Sequence, residues 1–369
     1  MPTGRTRAIS RLAVAAVLLI AGAGSAWGQS PTPVEGTSIQ PLPQPPPAPR
    51  VWLPVFQFRS GFWVNLVQFL YLQARIERGL PVVATGQSRP AAWAAADLSG
   101  LSPAEREAWQ HAVGYFGRHF ADYAQPYDSF LVRVDDRLSQ MNGCAELTGK
   151  TDPDCDAGID PTLGSILEQA APVYRVHWWP EQRRADKQWM ARATKLVQKY
   201  GGKPAEMLAT EFNGSWPGSP IPIDVTLYAG PYGAYTTIDP LHITISSVDP
   251  RNQGPLALEV VFRESSHAVA WPAERVIIEE CQRQTRAIPR ELWHALAFYT
   301  TARIFQRAFA DGWFHAAAGA PALFAESQRS YVAARRWQHY DEMLRLYWQP
   351  YLDGHTDMES AISQLVDAL

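Results

Sequence analysis

The sequence predicts an α+β fold, with mostly helical flanks around a small sheet. Three observations carry this. Long apolar periodicities of helical spacing dominate both ends of the chain. Residues 221–248 instead alternate apolar and polar side chains and are punctuated by glycine. Immediately after that segment comes an apolar run, residues 256–270, with the length and composition of a buried helix.

Taken in order, residues 51–58 are apolar and β-capable. Residues 61–79 place Trp63, Leu66, Val67, Leu70 and Ala74 at helical spacing, stopped by Gly79 and Pro81. Ser102-Pro103-Ala104-Glu105 is a capping box with proline at the first helical position, which predicts a helix reaching about Tyr123. Residues 130–134 read as a short strand. Residues 185–200 read as a helix with Trp189, Ala193, Leu196, Val197 and Tyr200 on one face, ended by Gly201-Gly202. Strands are expected at residues 223–228 and 242–246. Further helices follow over residues 256–270, from about 289 to 310, and from about 323 to 348.

The amino-terminal end has the three parts of an export signal. Arg5, Arg7 and Arg11 form a basic start, an apolar stretch follows, and Ala26-Trp27-Gly28 is a small-x-small cleavage site. The mature chain should begin near Gln29, and a secreted or periplasmic location follows. The expected organisation is 1–28 signal peptide, 29–50 proline-rich tether, 51–210 mainly helical region and 211–369 a second region holding the strands and the motif below. The apolar stretch falls short of the roughly 20 residues of a membrane span, so none is expected after signal cleavage. Losing three arginines and no acid moves the formal charge from −3 to −6, which argues against nucleic acid as a partner. Cys144 and Cys155 flank a turn-rich loop and should be bridged in an oxidising compartment, leaving Cys281 as a buried thiol.

The chemistry concentrates at Arg263-Glu264-Ser265-Ser266-His267. Glu259, Arg263 and His267 are spaced four apart and share a face of the expected helix, with Glu264 beside it. So apolar a helix rarely carries four polar groups unless they pair or line a cleft. The next helix holds Glu291-Leu292-Trp293-His294, a second Glu-x-x-His, and the return of the chain would bring His294 towards His267. Glu279 and Glu280 lie on the intervening connection as rival carboxylate ligands, and His242 could border the cleft from a strand edge.

Phe262-Arg263-Glu264-Ser265-Ser266-His267-Ala268 resembles the His-Glu-x-x-His helix of the zincin metallopeptidases, with arginine at the first histidine position. His242-Ile243-Thr244-Ile245-Ser246 would be the edge strand that binds extended substrate, and Leu292-Trp293-His294-Ala295-Leu296 the follow-on helix. The resemblance covers roughly residues 211–310. It implies a zincin-like fold, Glu264 as general base, His267 and His294 as zinc ligands, Arg263, Glu259 and His242 lining the site, and a peptide or protein as partner. A glutamate late in the follow-on helix, expected in related secreted bacterial proteins, is missing from Thr300-Thr301-Ala302-Arg303. A guanidinium has no lone pair for a metal and stays protonated, so zinc binding should be weak at most. The expectation is an exported zincin-like protein with a degenerate metal site, weak or inactive as a peptidase. The alternatives are an active zinc peptidase with an unconventional ligand set and a non-enzymatic module binding peptide or glycan. The paired Glu-x-x-His segments also match a ferritin-like di-iron bundle, against which the strands argue. No Gly-x-Ser-x-Gly of a serine hydrolase occurs.

Overall fold

The computed structural model describes residues 53–83, 95–123, 129–312 and 320–369; the expected signal peptide and tether lie outside them. Strand β1 (Phe56–Arg59) leads into α1 (Phe62–Glu77), α2 (Pro103–His119), α3 (Ser129–Gln140), α4 (Pro161–His177), α5 (Trp179–Tyr200) and α6 (Gly202–Glu211). Strands β2 (Ile221–Thr226), β3 (Ala234–Ile238) and β4 (Leu241–Ser246) follow. Then come α7 (Leu256–Ser265), α8 (Trp271–Arg283), α9 (Leu292–Ala310), α10 (Ala320–Arg335), α11 (Gln338–Met343), α12 (Gln349–Leu352) and α13 (Met358–Ala368). The fold is thus mixed and mostly helical around one small sheet.

The sheet runs β1-β2-β4-β3, with β1, β2 and β4 parallel and β3 antiparallel to β4. Strand β4, read as the edge strand from sequence, is therefore interior, and the edge beside the motif helix is β3. The sequence reading passed over β3 because Gly230, Pro231 and Gly233 gave its approach the look of a turn. Register gives the sheet two unlike faces. One row across all four strands is Phe58, Ile223, Ile243 and Thr236; the next is Arg59, Asp224, Thr244 and Tyr235. The apolar face joins the larger core with Trp189, Phe212, Trp216, Phe262 and Phe305. The polar face is also buried. Gln68 of α1 donates to Tyr235 Oη and to Asp135 Oδ2 of α3, and Asn65 donates to the Val225 carbonyl. A second core lies among α1, α2 and α4, built on Trp63, Phe69, Trp109, Phe116 and Tyr174.

Several elements follow the local sequence. The capping box at the start of α2 is complete, with Ser102 accepting from the Glu105 N–H and Glu105 from the Ser102 N–H. Cys144 and Cys155 are bridged and Cys281 is a buried free thiol. Other elements depart from it. Residues 130–134 are helical, within α3, because Leu131, Val134 and Leu138 recur at helical spacing and are all buried. The 256–270 run is not one helix: α7 stops at Ser265 and a 3₁₀ turn carries Ser266–Ala268. Glu279 and Glu280 sit on a regular helix, α8, not on a connection. The expected last long helix breaks at Arg336, whose φ of 59° lies in the left-handed region and separates α10 from α11.

Candidate functional site

Helix α7 packs between the apolar face of the sheet and α9, and every one of its residues is buried. Its charged groups must therefore find partners inside the protein. Arg263 Nε lies 3.2 Å from Glu259 Oε1, one turn back, and its Nη1 donates to Glu264 Oε1. The Arg263 guanidinium carbon also stands 5.0 Å from the centroid of the Tyr331 ring. The other Glu264 oxygen accepts from Thr236 Oγ1 at 2.9 Å, the single polar side chain in its row of the sheet's apolar face. Glu259 accepts from Gln328 Nε2 at 3.3 Å. One cation thus serves two carboxylates. Burial alone would favour loss of the Arg263 proton, but Glu264 and Glu259 outweigh it and hold the proton more tightly. Burial raises Glu259 above the usual carboxylate range, opposed by Arg263 and assisted by Glu264.

The break after Ser265 moves His267 off the line of the helix and turns it towards α9. Its ring centroid lies 4.8 Å from that of His294 and 5.2 Å from that of Trp293. Both imidazoles are pushed down in pKa, first by burial; His294 and two arginines add to this at His267. Both shifts favour the neutral form. His267 Nδ1 is buried without a hydrogen-bond partner, while His294 Nδ1 lies 3.6 Å from Glu291 Oε2. Arg335 closes the site from α10, with its guanidinium 4.0 Å from the Tyr232 ring centroid and 3.7 Å from Glu291.

No family model, curated protein or solved structure matches this chain.

Arg263, Glu259, Glu264, His267 and His294 are brought together; three other sequence candidates are not. Glu279 is exposed and paired with Arg275, and Glu280 is held by Arg283 and Gln284. His242 belongs to the opposite face of the sheet, where it lies 2.6 Å from Asp224, itself bound by Arg59 at 3.1 Å. Among the described residues no group of three His, Cys, Asp or Glu side chains is arranged to hold a metal ion. Two imidazoles are present, but Arg263 offers no lone pair and occupies one Glu264 oxygen, while Thr236 occupies the other. Sequence reasoning missed Thr236, Gln328, Tyr331 and Arg335. The last three recur three and four residues apart, so they share one face of α10, a spacing visible in the sequence.

Proposed function

We propose that this chain is an exported zincin-like protein whose metal position has been taken over by a guanidinium, so that it binds peptide without hydrolysing it efficiently. The observation that carries the reading is Arg263 held between Glu259 and Glu264 at the motif's first ligand position. A general base needs a free carboxylate oxygen within hydrogen-bond reach of the water it activates. Glu264 has a strong donor on each oxygen instead. A dication beside Arg263 would also meet repulsion of about 4 kcal/mol per pair of unit charges at 4 Å and an effective dielectric of 20. The edge position of β3 next to α7 supports peptide as the ligand, because an open strand edge can accept an extended chain by β-addition.

The test is metal content and zinc affinity of the purified mature protein. Unmodified protein should hold well under one zinc per chain, and Arg263→His should raise its affinity. Stoichiometric zinc in the unmodified protein, lost in His267→Ala, would establish instead an active peptidase with an unconventional ligand set.

A further inference from the structure

A cavity of about 430 Å³ opens between α9, α10 and α11 and is lined in part by Gln328, whose Nε2 donates to Glu259 of the Arg263 network. Its volume is that of a small-molecule site. Three guanidinium groups, of Arg303, Arg329 and Arg345, line it against one carboxylate, Asp341, which pairs with Arg345 at 2.6 Å. Arg303 is held by neutral groups alone. It donates to Gln306 Oε1 at 2.7 Å and to Tyr299 Oη at 2.9 Å, and that hydroxyl is in turn fixed by donating to Gln349 at 2.8 Å. Arg329 is exposed and has no ion pair among the described residues. Among the described residues two of the three guanidinium groups lining the cavity thus have no carboxylate partner, and one of them is pre-positioned.

Gln328 supplies an independent observation. It is 8% exposed, lines the cavity, and its Oε1 has no hydrogen-bond partner. The amide cannot be reversed to relieve this, because its Nε2 donates to the Glu259 carboxylate and a reversed amide would set oxygen against oxygen. A buried acceptor left without a donor is costly, and a ligand N–H or O–H would satisfy it. Phe298, Ala302 and Val332 provide an apolar wall.

We propose that this cavity binds an α-amido carboxylate, the chemistry of a peptide carboxyl terminus or of an N-acyl amino acid. The carboxylate meets Arg303 and Arg329, the amide N–H donates to Gln328 Oε1, and the side chain rests on Phe298 and Val332. A phosphomonoester dianion offers acceptors only and would leave Gln328 unsatisfied. The assignment goes beyond the proposed function and stands whichever way the zinc measurement falls, since the two tests read different quantities.

The experiment is calorimetric titration of the full mature protein with N-acetyl-alanyl-phenylalanine as free acid and as amide, with N-acetyl-phenylalanine, inorganic phosphate and glucuronate beside them. The free acid should bind with a dissociation constant in the range of roughly 10–500 µM, and the amide at least about tenfold more weakly. Dipeptide acid tighter than N-acetyl-phenylalanine identifies a peptide terminus; equal affinity identifies the amino-acid derivative. Arg329→Ala, on an exposed position, should weaken the acid about tenfold with an unchanged unfolding midpoint, and Arg303→Met should weaken it further. Equal binding of acid and amide, absence of binding at about 5 mM, or tighter binding of phosphate or glucuronate would overturn the proposal.

Discussion

Arg263 is the residue on which both the stability and the chemistry of α7 turn. Its side chain, Glu259 and Glu264 are each less than a tenth exposed, so their charges have given up most of their water. Such a group is tolerated because each member satisfies the others, and removing one member leaves the rest stranded. Arg263→Met keeps the volume and removes the cation, leaving two carboxylates buried side by side. We expect a loss of about 3–5 kcal/mol at neutral pH, read from urea unfolding. In that variant Glu259, already raised by burial, would lose the guanidinium that opposes the rise. The loss should therefore shrink as pH falls and the Glu259 carboxyl takes up a proton. A deficit independent of pH would mean that packing, and not charge, is what Arg263 supplies. Lysine is no substitute, because a compact ammonium cannot reach Glu259 and Glu264 as a planar fork while lying against Tyr331.

Among the elements, the 3₁₀ turn that follows α7 decides where His267 points, and a glycine in the loop after α6 packs against that turn. A Cβ built on Gly214, just after α6, would lie 2.2 Å from the Val269 carbonyl oxygen, a backbone atom two residues beyond His267. The clash cannot be relieved by a rotamer change, so Gly214→Ala must push the turn away from the loop after α6. We expect about 2–3 kcal/mol of destabilisation, in the range of overpacked core substitutions, and a lowered thermal midpoint. The same substitution should alter the fluorescence of the protein through Trp293, whose ring packs against His267. A variant as stable as the parent would show that the turn is free to move. Helix α3 shows the opposite relation between sequence and element. Phe130-Leu131-Val132-Arg133-Val134 looks like a strand by composition, yet the polar face of the sheet calls for a partner, and Asp135 on a helix delivers it to Tyr235 at 2.7 Å.

For the molecule as a whole, the unusual property is a polar layer buried between two apolar cores. It includes carboxyl groups that, among the described residues, are held by neutral donors and have no ion pair. Asp186 on α5 is fully buried and accepts from Ser60 Oγ at 2.7 Å; burial pushes its pKa up to about 7, against the lowering effect of its hydrogen bonds. Asp135, accepting from Tyr235 and Gln68, is likewise raised to about 6. A carboxyl whose folded pKa exceeds its unfolded value binds more protons when folded. Its contribution is then fully present below the unfolded value of 3.8 and is lost as pH rises to about 7 for Asp186. Asp186→Asn should therefore match the parent near pH 4 and exceed it by about 2–4 kcal/mol at pH 8, from roughly three units at 1.36 kcal/mol each, reduced for relaxation. Urea midpoints at the two pH values check this. A gap that stays constant between them would remove the buried, protonated Asp186 from the account.

Sequence alone determined the features that depend on near neighbours along the chain. The α2 cap is a local hydrogen-bond exchange, the Cys144–Cys155 bridge spans a short loop, and α1 and α9 announce themselves by apolar spacing. The set Glu259, Arg263, Glu264 and His267 could be singled out for the same reason, because an apolar helix makes charged residues conspicuous. Only the tertiary structure decided what those residues do to one another. The end of α7 at Ser265 depends on packing against α9 and the Gly214 loop, so the helical face shared by Arg263 and His267 does not persist. Strand order is likewise a long-range property: β4 alternates like any half-covered strand, and nothing in its own residues says that β2 and β3 flank it on both sides. The partners that fix Glu264 and Glu259, Thr236 and Gln328, come from 28 residues before and 69 residues after. Pairings across such separations are set by the folded arrangement of the helices and sheet, and they turn a recognisable motif into a closed ion network.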